Sequence, residues 1–186
     1  MGGGVGSGAG VRGGGAGVNG NEIRSLPKAV REESTLTEAR RIVLSSDHTA
    51  IPLRRAILAR APKRGRTAIN LGPTTSERTD YPINGAAAAR HVASGECRFG
   101  IVLCGTGQGI MMAANKVRSI RCGACSDAFS ARMIRLHNDA NMIAIGARVV
   151  GEGLALEIAD AFLATPFEDG RHARRIEMNE GSERQT

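Results

Sequence analysis

A cysteine followed by glycines at alternate positions, Cys104-Gly105-Thr106-Gly107-Gln108-Gly109, stands between an apolar run, FGIVLC, and a helix-like segment, IMMAANK. Glycine-rich turns from strand to helix usually cradle phosphate or a dinucleotide, because free amides and the helix dipole favour negative charge there. A dinucleotide fingerprint needs glycine where this chain has Ile110, and it follows the first strand rather than the third. The Gly-Lys-Ser/Thr ending of a Walker loop is absent. What remains is a nest of backbone amides beside a thiol, a field that favours the thiolate form of a cysteine. Cys104 is therefore a candidate reactive group and Thr106 a candidate hydrogen-bonding partner. The plainer alternatives are an inert thiol at a strand end and a turn threonine.

Further polar candidates are spread along the chain. Asp47 and His48 follow the run RIVLSS, and His137 and Asn138 open HNDAN at the expected end of a helix. Arg171 and Arg175 lie four apart, hence on one face of a basic C-terminal helix, while His91 and His172 read as surface residues. Taken singly, each has a structural explanation: a cap, a histidine answering a helix dipole, a solvated basic face. Cys122 and Cys125 have redox-motif spacing in CGAC, but they sit in a segment that reads as a strand. Residues three apart in a strand face opposite sides, which opposes both a disulfide and a metal site, so buried structural thiols are expected. A zinc site would also need two further ligands, and the sequence supplies none at a suitable spacing.

The elements that must position these residues alternate. RIVLSS, RTAINL, FGIVLC, a segment near IRCGACS, and NMIAIGA read as strands. IPLRRAILAR, INGAAAARHVAS, the segment after the glycines, FSARMIRLH, GLALEIADAFLA and a stretch from Arg171 read as helices. Continuous apolar strands alternating with helices predict a five-stranded parallel sheet covered on both faces, a doubly wound α/β domain. Ligands of such folds lie beyond the carboxyl ends of the strands where strand order reverses. With an order of 2-1-3-4-5, that crevice falls between strands one and three and brings Asp47 and His48 to the Cys104 loop.

The whole chain sets outer bounds. Its 186 residues suit one domain with a sizeable core. Residues 1–38 read as a disordered glycine-rich tail with a charged connector, 39–180 as the folded domain and 181–186 as a flexible end. The first twenty residues lack the apolar core of a secretory signal, and no stretch approaches a membrane span, so a cytoplasmic protein is expected. The net charge of +7 comes with only 3% aromatic residues, and the basic residues are scattered rather than clustered. Both features weigh against nucleic acid as a partner. Only three of the 25 basic residues are lysine; the 22 arginines suit planar anions such as phosphate.

In order, SSDH, SERTDYP, CGTGQG followed by AANK, HNDAN, GARVVG and GRHARRIE resemble the motifs of the B-type ribose-5-phosphate isomerases and their hexose-phosphate relatives, over about Arg41 to Glu177. The resemblance implies a Rossmann-like sheet and a metal-free, cofactor-free aldose–ketose isomerase of the pentose phosphate pathway. It also implies a homodimer, extending to a dimer of dimers, with active sites shared between subunits. By position, Cys104 matches the base that moves the proton from C2 to C1 through an enediolate, and Thr106 the group that helps move the proton between the oxygens. Gly105, Gly107 and Gly109 match the enediolate-binding loop. His137 matches the ring-opening acid, assisted by Asp47, with Asn138 orienting the sugar and Tyr81 near it. His48, Arg148, Arg171 and Arg175 match the phosphate-binding set. Two departures stand beside the pocket: Met111 replaces a common serine, and Gln108 replaces a common apolar residue. They bear on the substrate, for which ribose 5-phosphate leads over allose 6-phosphate, galactose 6-phosphate or a tetrose phosphate. A non-catalytic sugar-phosphate-binding module is the alternative of another class; the presence of Cys104, Thr106 and His137 together argues against it.

Overall fold

The computed structural model describes residues 40–183. The expectations for 1–38 and for the last three residues lie outside that range. Five parallel strands form one sheet: β1 (Arg41–Ser46), β2 (Thr67–Asn70), β3 (Phe99–Cys104), β4 (Cys122–Ala124) and β5 (Met142–Gly146). Six α-helices are described: α1 (Ile51–Arg60), α2 (Tyr81–Ala93), α3 (Gln108–Ala114), α4 (Ala128–Asn138), α5 (Glu152–Ala164) and α6 (Arg171–Glu183). The last helix continues three residues past the boundary at 180 drawn from the sequence.

Strand side chains alternate between two cores because the strand period is two. On one face Ile42, Leu44, Ile101, Leu103, Ile143 and Ile145 meet Leu53 and Ile57 of α1, Ala131 of α4 and Ile158 and Phe162 of α5. On the other, Val43, Val102, Cys104, Met142 and Ala144 meet Ala88, Ala89 and Val92 of α2 and Ile110 and Ala114 of α3. Burial on both faces explains why β3 and β5 are apolar at every position rather than alternating.

The strand order is β2-β1-β3-β5-β4, not 2-1-3-4-5. β5 is buried at all five positions and takes the inner place; β4 has three residues, two of them half-buried, and forms the edge. The reversal between β1 and β3 is unaffected by this exchange, so the expected crevice stays where it was placed.

Candidate active site

At the carboxyl end of the sheet, β1 and β3 run side by side with Ser46 opposite Leu103. The Asp47 amide donates to the Leu103 carbonyl at 3.1 Å, which ties the residue after β1 to the end of β3. The Asp47 carboxylate is buried and accepts from the Thr49 amide (2.9 Å) and hydroxyl (2.6 Å), capping a short 3-10 turn, His48–Ala50. His48 Nδ1 accepts from the Thr79 amide at 3.2 Å. In a neutral ring that leaves the proton on Nε2, free to donate to an anion.

Cys104 ends β3 on the face covered by α2 and α3, and its Sγ accepts the Gly107 amide at 3.2 Å. Gly107 has φ +80°, and a Cβ there would lie 3.1 Å from the backbone of Ile145 and Gly146, so only glycine lets the loop turn against the end of β5. The exposed Thr106 Oγ1 accepts the Gln108 amide at 3.4 Å. A Cβ on Gly109 would fall 2.6 Å from the Tyr81 ring, which places Tyr81, the first residue of α2, directly on the loop. The Ala147 and Arg148 amides donate to the carbonyls of Cys104 and Gly105, each at 2.9 Å, and the Arg148 side chain runs beside Gly105. A cavity of about 200 Å³ opens next to Thr106 and Gln108, lined also by Ser126 and Val149.

The other three cysteines are free and buried. Burial pushes the Cys97 and Cys125 thiols up to about 11, and Cys122 is raised by burial and by Cys125. They are inert neutral thiols, the structural role expected for the CGAC pair.

His137 and Asn138 sit elsewhere. They close α4, whose end is fixed by Arg121: its guanidinium donates to the carbonyls of Asn138 (3.0 Å) and Asp139 (2.9 Å). Arg121 precedes β4 and its carbonyl accepts the amide of Met142, the first residue of β5, so this cluster lies at the amino end of the sheet. Arg171 and Arg175 are exposed on α6. His172 is only 4% exposed, not a surface residue: its ring stacks on His137 with centroids 4.4 Å apart and planes at 11°. The stack shields the ring from water, which the sequence alone could not register. The pKa of His172 is lowered by burial first, then by His137, Arg171 and Arg175, against the opposing pull of Glu168.

The expected site residues therefore form two groups. Asp47, His48, Tyr81, Cys104 to Gly109 and Arg148 gather at one end of the sheet; His137, Asn138, Arg171 and Arg175 gather at the other. β5 touches both and spans about 16 Å for its five residues.

Arg54 and Glu168 went unnoticed in the sequence, and His172 read as a surface residue. Arg54 is buried within α1, and its guanidinium donates to Ser46 Oγ (3.1 Å) and to the carbonyls of Leu71 (2.8 Å) and Pro73 (2.6 Å). It anchors the loop leading to Thr79 and Tyr81; the signal was an arginine on the apolar face of a helix. Glu168 and His172 bracket His137, and their i, i+4 spacing was the available sign.

The sequence profile of the family described as Ribose/Galactose Isomerase matches residues 42–178, which spans both groups. The chain belongs to the ribose/galactose isomerase family. It is 46% identical to ribose-5-phosphate isomerase B of Escherichia coli over 138 residues, 74% of this chain and 93% of the other. It is 39% identical to a D-erythrulose-4-phosphate isomerase of Pectobacterium atrosepticum, over 73% of this chain and 90% of that protein. Among solved structures, ribose-5-phosphate isomerase B of Clostridium thermocellum superposes with a TM-score of 0.77 at 47% identity, covering 78% of this chain and 98% of that one. Membership in the ribose/galactose isomerase family makes the chain an aldose–ketose isomerase of Rossmann-like fold, as its motifs implied.

Proposed function

We propose that the chain interconverts D-ribose 5-phosphate and D-ribulose 5-phosphate at sites shared across a homodimer. The observation that carries this reading is the Cys104 sulfur held by the Gly107 amide at the mouth of the glycine loop. An amide directed at sulfur stabilises negative charge there, so Cys104 can take the proton from C2 as a thiolate and return it to C1. The enediolate formed in between carries charge on oxygen. Loop amides from Gly105 to Gly109 aimed at that oxygen supply the oriented field that such intermediates need. Thr106, exposed beside the cavity, passes the proton between O1 and O2.

Ring opening and phosphate binding come from both subunits in this account. Asp47 and His48 follow the strand that runs beside Cys104, and His48 and the Arg148 guanidinium bind the phosphate in this account. The partner subunit's His137 opens the furanose ring with help from Asp47, the partner subunit's Asn138 orients the sugar, and the partner subunit's Arg171 and Arg175 complete the phosphate clamp. The separation of the two groups along β5 supports the shared site, since one chain does not bring them together. Arginine forks suit phosphate through charge-assisted paired bonds.

The substrate is the finer point, because relatives of the same family act on tetrose as well as pentose phosphates. A metal-free assay of the purified protein against ribose 5-phosphate, allose 6-phosphate and erythrose 4-phosphate decides it. Fastest ketose formation from ribose 5-phosphate is expected, and preference for another sugar moves the substrate while keeping the chemistry.

A further inference from the structure

We infer that His137, His172 and Glu168 form an inhibitory binding site for a divalent transition metal, zinc being the natural test ion. Their ligand atoms all lie within 4.8 Å of one another, and Glu168 Oε2 stands 3.8 Å from the Nε2 of each histidine. Three ligands of a tetrahedral zinc, with bonds of about 2.0–2.2 Å, sit about 3.4 Å apart. The two carboxylate–histidine separations exceed the bound geometry by only a few tenths of an ångström, whereas the stacked imidazoles, whose in-plane lone pairs run nearly parallel, must open for both nitrogens to meet one ion, a rotation that falls to the part-exposed His137.

The atoms are also in the right chemical state. Arg171 Nε donates to His172 Nε2 at 3.3 Å, so that nitrogen carries a lone pair rather than a proton. Among the described residues the His137 ring has no closer polar partner than the Glu168 carboxylate, and both are part-exposed, which leaves an open approach and a fourth position for water. The segment bearing Glu168 is pinned to α4, since its amide donates to the Leu136 carbonyl at 3.1 Å. Arg171 and Arg175 are the opposing charges; Arg171 is exposed and its contact with His172 must be given up on binding. Two imidazoles and one carboxylate suit zinc over magnesium or calcium, which prefer oxygen.

Metal binding stands on this geometry alone, while its inhibitory effect rests on the isomerase reading, in which His137 must exchange a proton and cannot do so through a nitrogen bound to zinc. The test is a zinc titration of the full chain, freed of metal by chelator dialysis, followed by calorimetry and separately by isomerase assay. We expect one zinc per chain, bound equally by wild type and by Cys104→Ala, and at least ten-fold weaker binding in Glu168→Gln and in His172→Asn. Glu168→Gln should retain turnover and need at least ten-fold more zinc for half-inhibition, and chelator should restore the wild type. Absence of saturable binding overturns the site. So does binding that disappears in Cys104→Ala yet persists in both other variants, because the zinc would then sit on thiols. A wild type that binds zinc but turns over no sugar phosphate would leave the metal site standing and sink the isomerase reading instead.

Discussion

The Gly107 amide points at the sulfur of Cys104, 3.2 Å away, from the left-handed residue of the turn that leads into α3. A single backbone conformation thus aims a donor at the thiol and brings the loop against β5. Cys104→Ala should abolish turnover while sugar-phosphate binding stays within a few-fold of wild type. Gly107→Ala forces a Cβ to within 3.1 Å of the β5 backbone at positive φ, and it should lower kcat on the order of 10²-fold, the effect of misplacing one oxyanion donor. Steady-state kinetics with isothermal binding measurements check both variants, and a Cys104→Ala protein with measurable turnover would remove the assigned base.

The four cysteines should separate chemically. Cys97, Cys122 and Cys125 are held as neutral thiols by burial, with Cys97 and Cys125 at about 11. Iodoacetamide at neutral pH should modify the native chain first at Cys104, with activity falling in step and substrate protecting, as read by peptide mass spectrometry. Prior labelling of Cys122 or Cys125 would contradict the assignment of roles.

Much of this arrangement is legible in the sequence. The run FGIVLC matches β3 at both ends, and IPLRRAILAR matches α1, because continuous burial and helix punctuation act locally. The order of β4 and β5 was not legible, since only the sheet reveals that a three-residue strand with a central glycine is relegated to the edge. His172 was hidden for a related reason: in a basic helix it looks solvated, and only the stack with His137 buries it. The motifs named the candidate site residues in order, but not that β5 holds the two groups apart.

Arg171→Ala should raise KM for the sugar phosphate at least ten-fold and change kcat much less. Phosphate contacts remote from the reacting carbons contribute mostly to ground-state and transition-state binding alike. An unchanged KM would take Arg171 out of the phosphate clamp.

Stability should respond to acid through Asp160. Burial raises its pKa, but hydrogen bonds and charge from Arg60 and Arg64, at 2.9 and 2.7 Å, more than reverse this and leave it lowered. A carboxylate whose folded pKa is depressed stabilises the fold above its unfolded value near ~3.9, and loses that contribution as pH falls through the folded value. Asp160→Asn should therefore cost about 1 kcal/mol at neutral pH, as for a partly exposed pair, with the deficit closing only below about pH 4. Thermal melts of both proteins across that range check the sign; a deficit that persists unchanged in acid would contradict it.

The proposed sharing of sites between subunits makes a prediction that single variants cannot. Cys104→Ala and His137→Asn should each be inactive as purified homodimers, yet a mixed dimer carries one site with both wild-type residues. Random reassortment makes roughly half of the dimers mixed, each with one good site of two, so activity should return to roughly a quarter of wild type. The decisive measurement is ribulose 5-phosphate formation after the two variants are mixed, exchanged and shown by native mass spectrometry to have formed hybrids. Recovery toward that fraction is the predicted result. Hybrids that remain as inactive as their parents would contradict a site built from Cys104 of one subunit and His137 of the other.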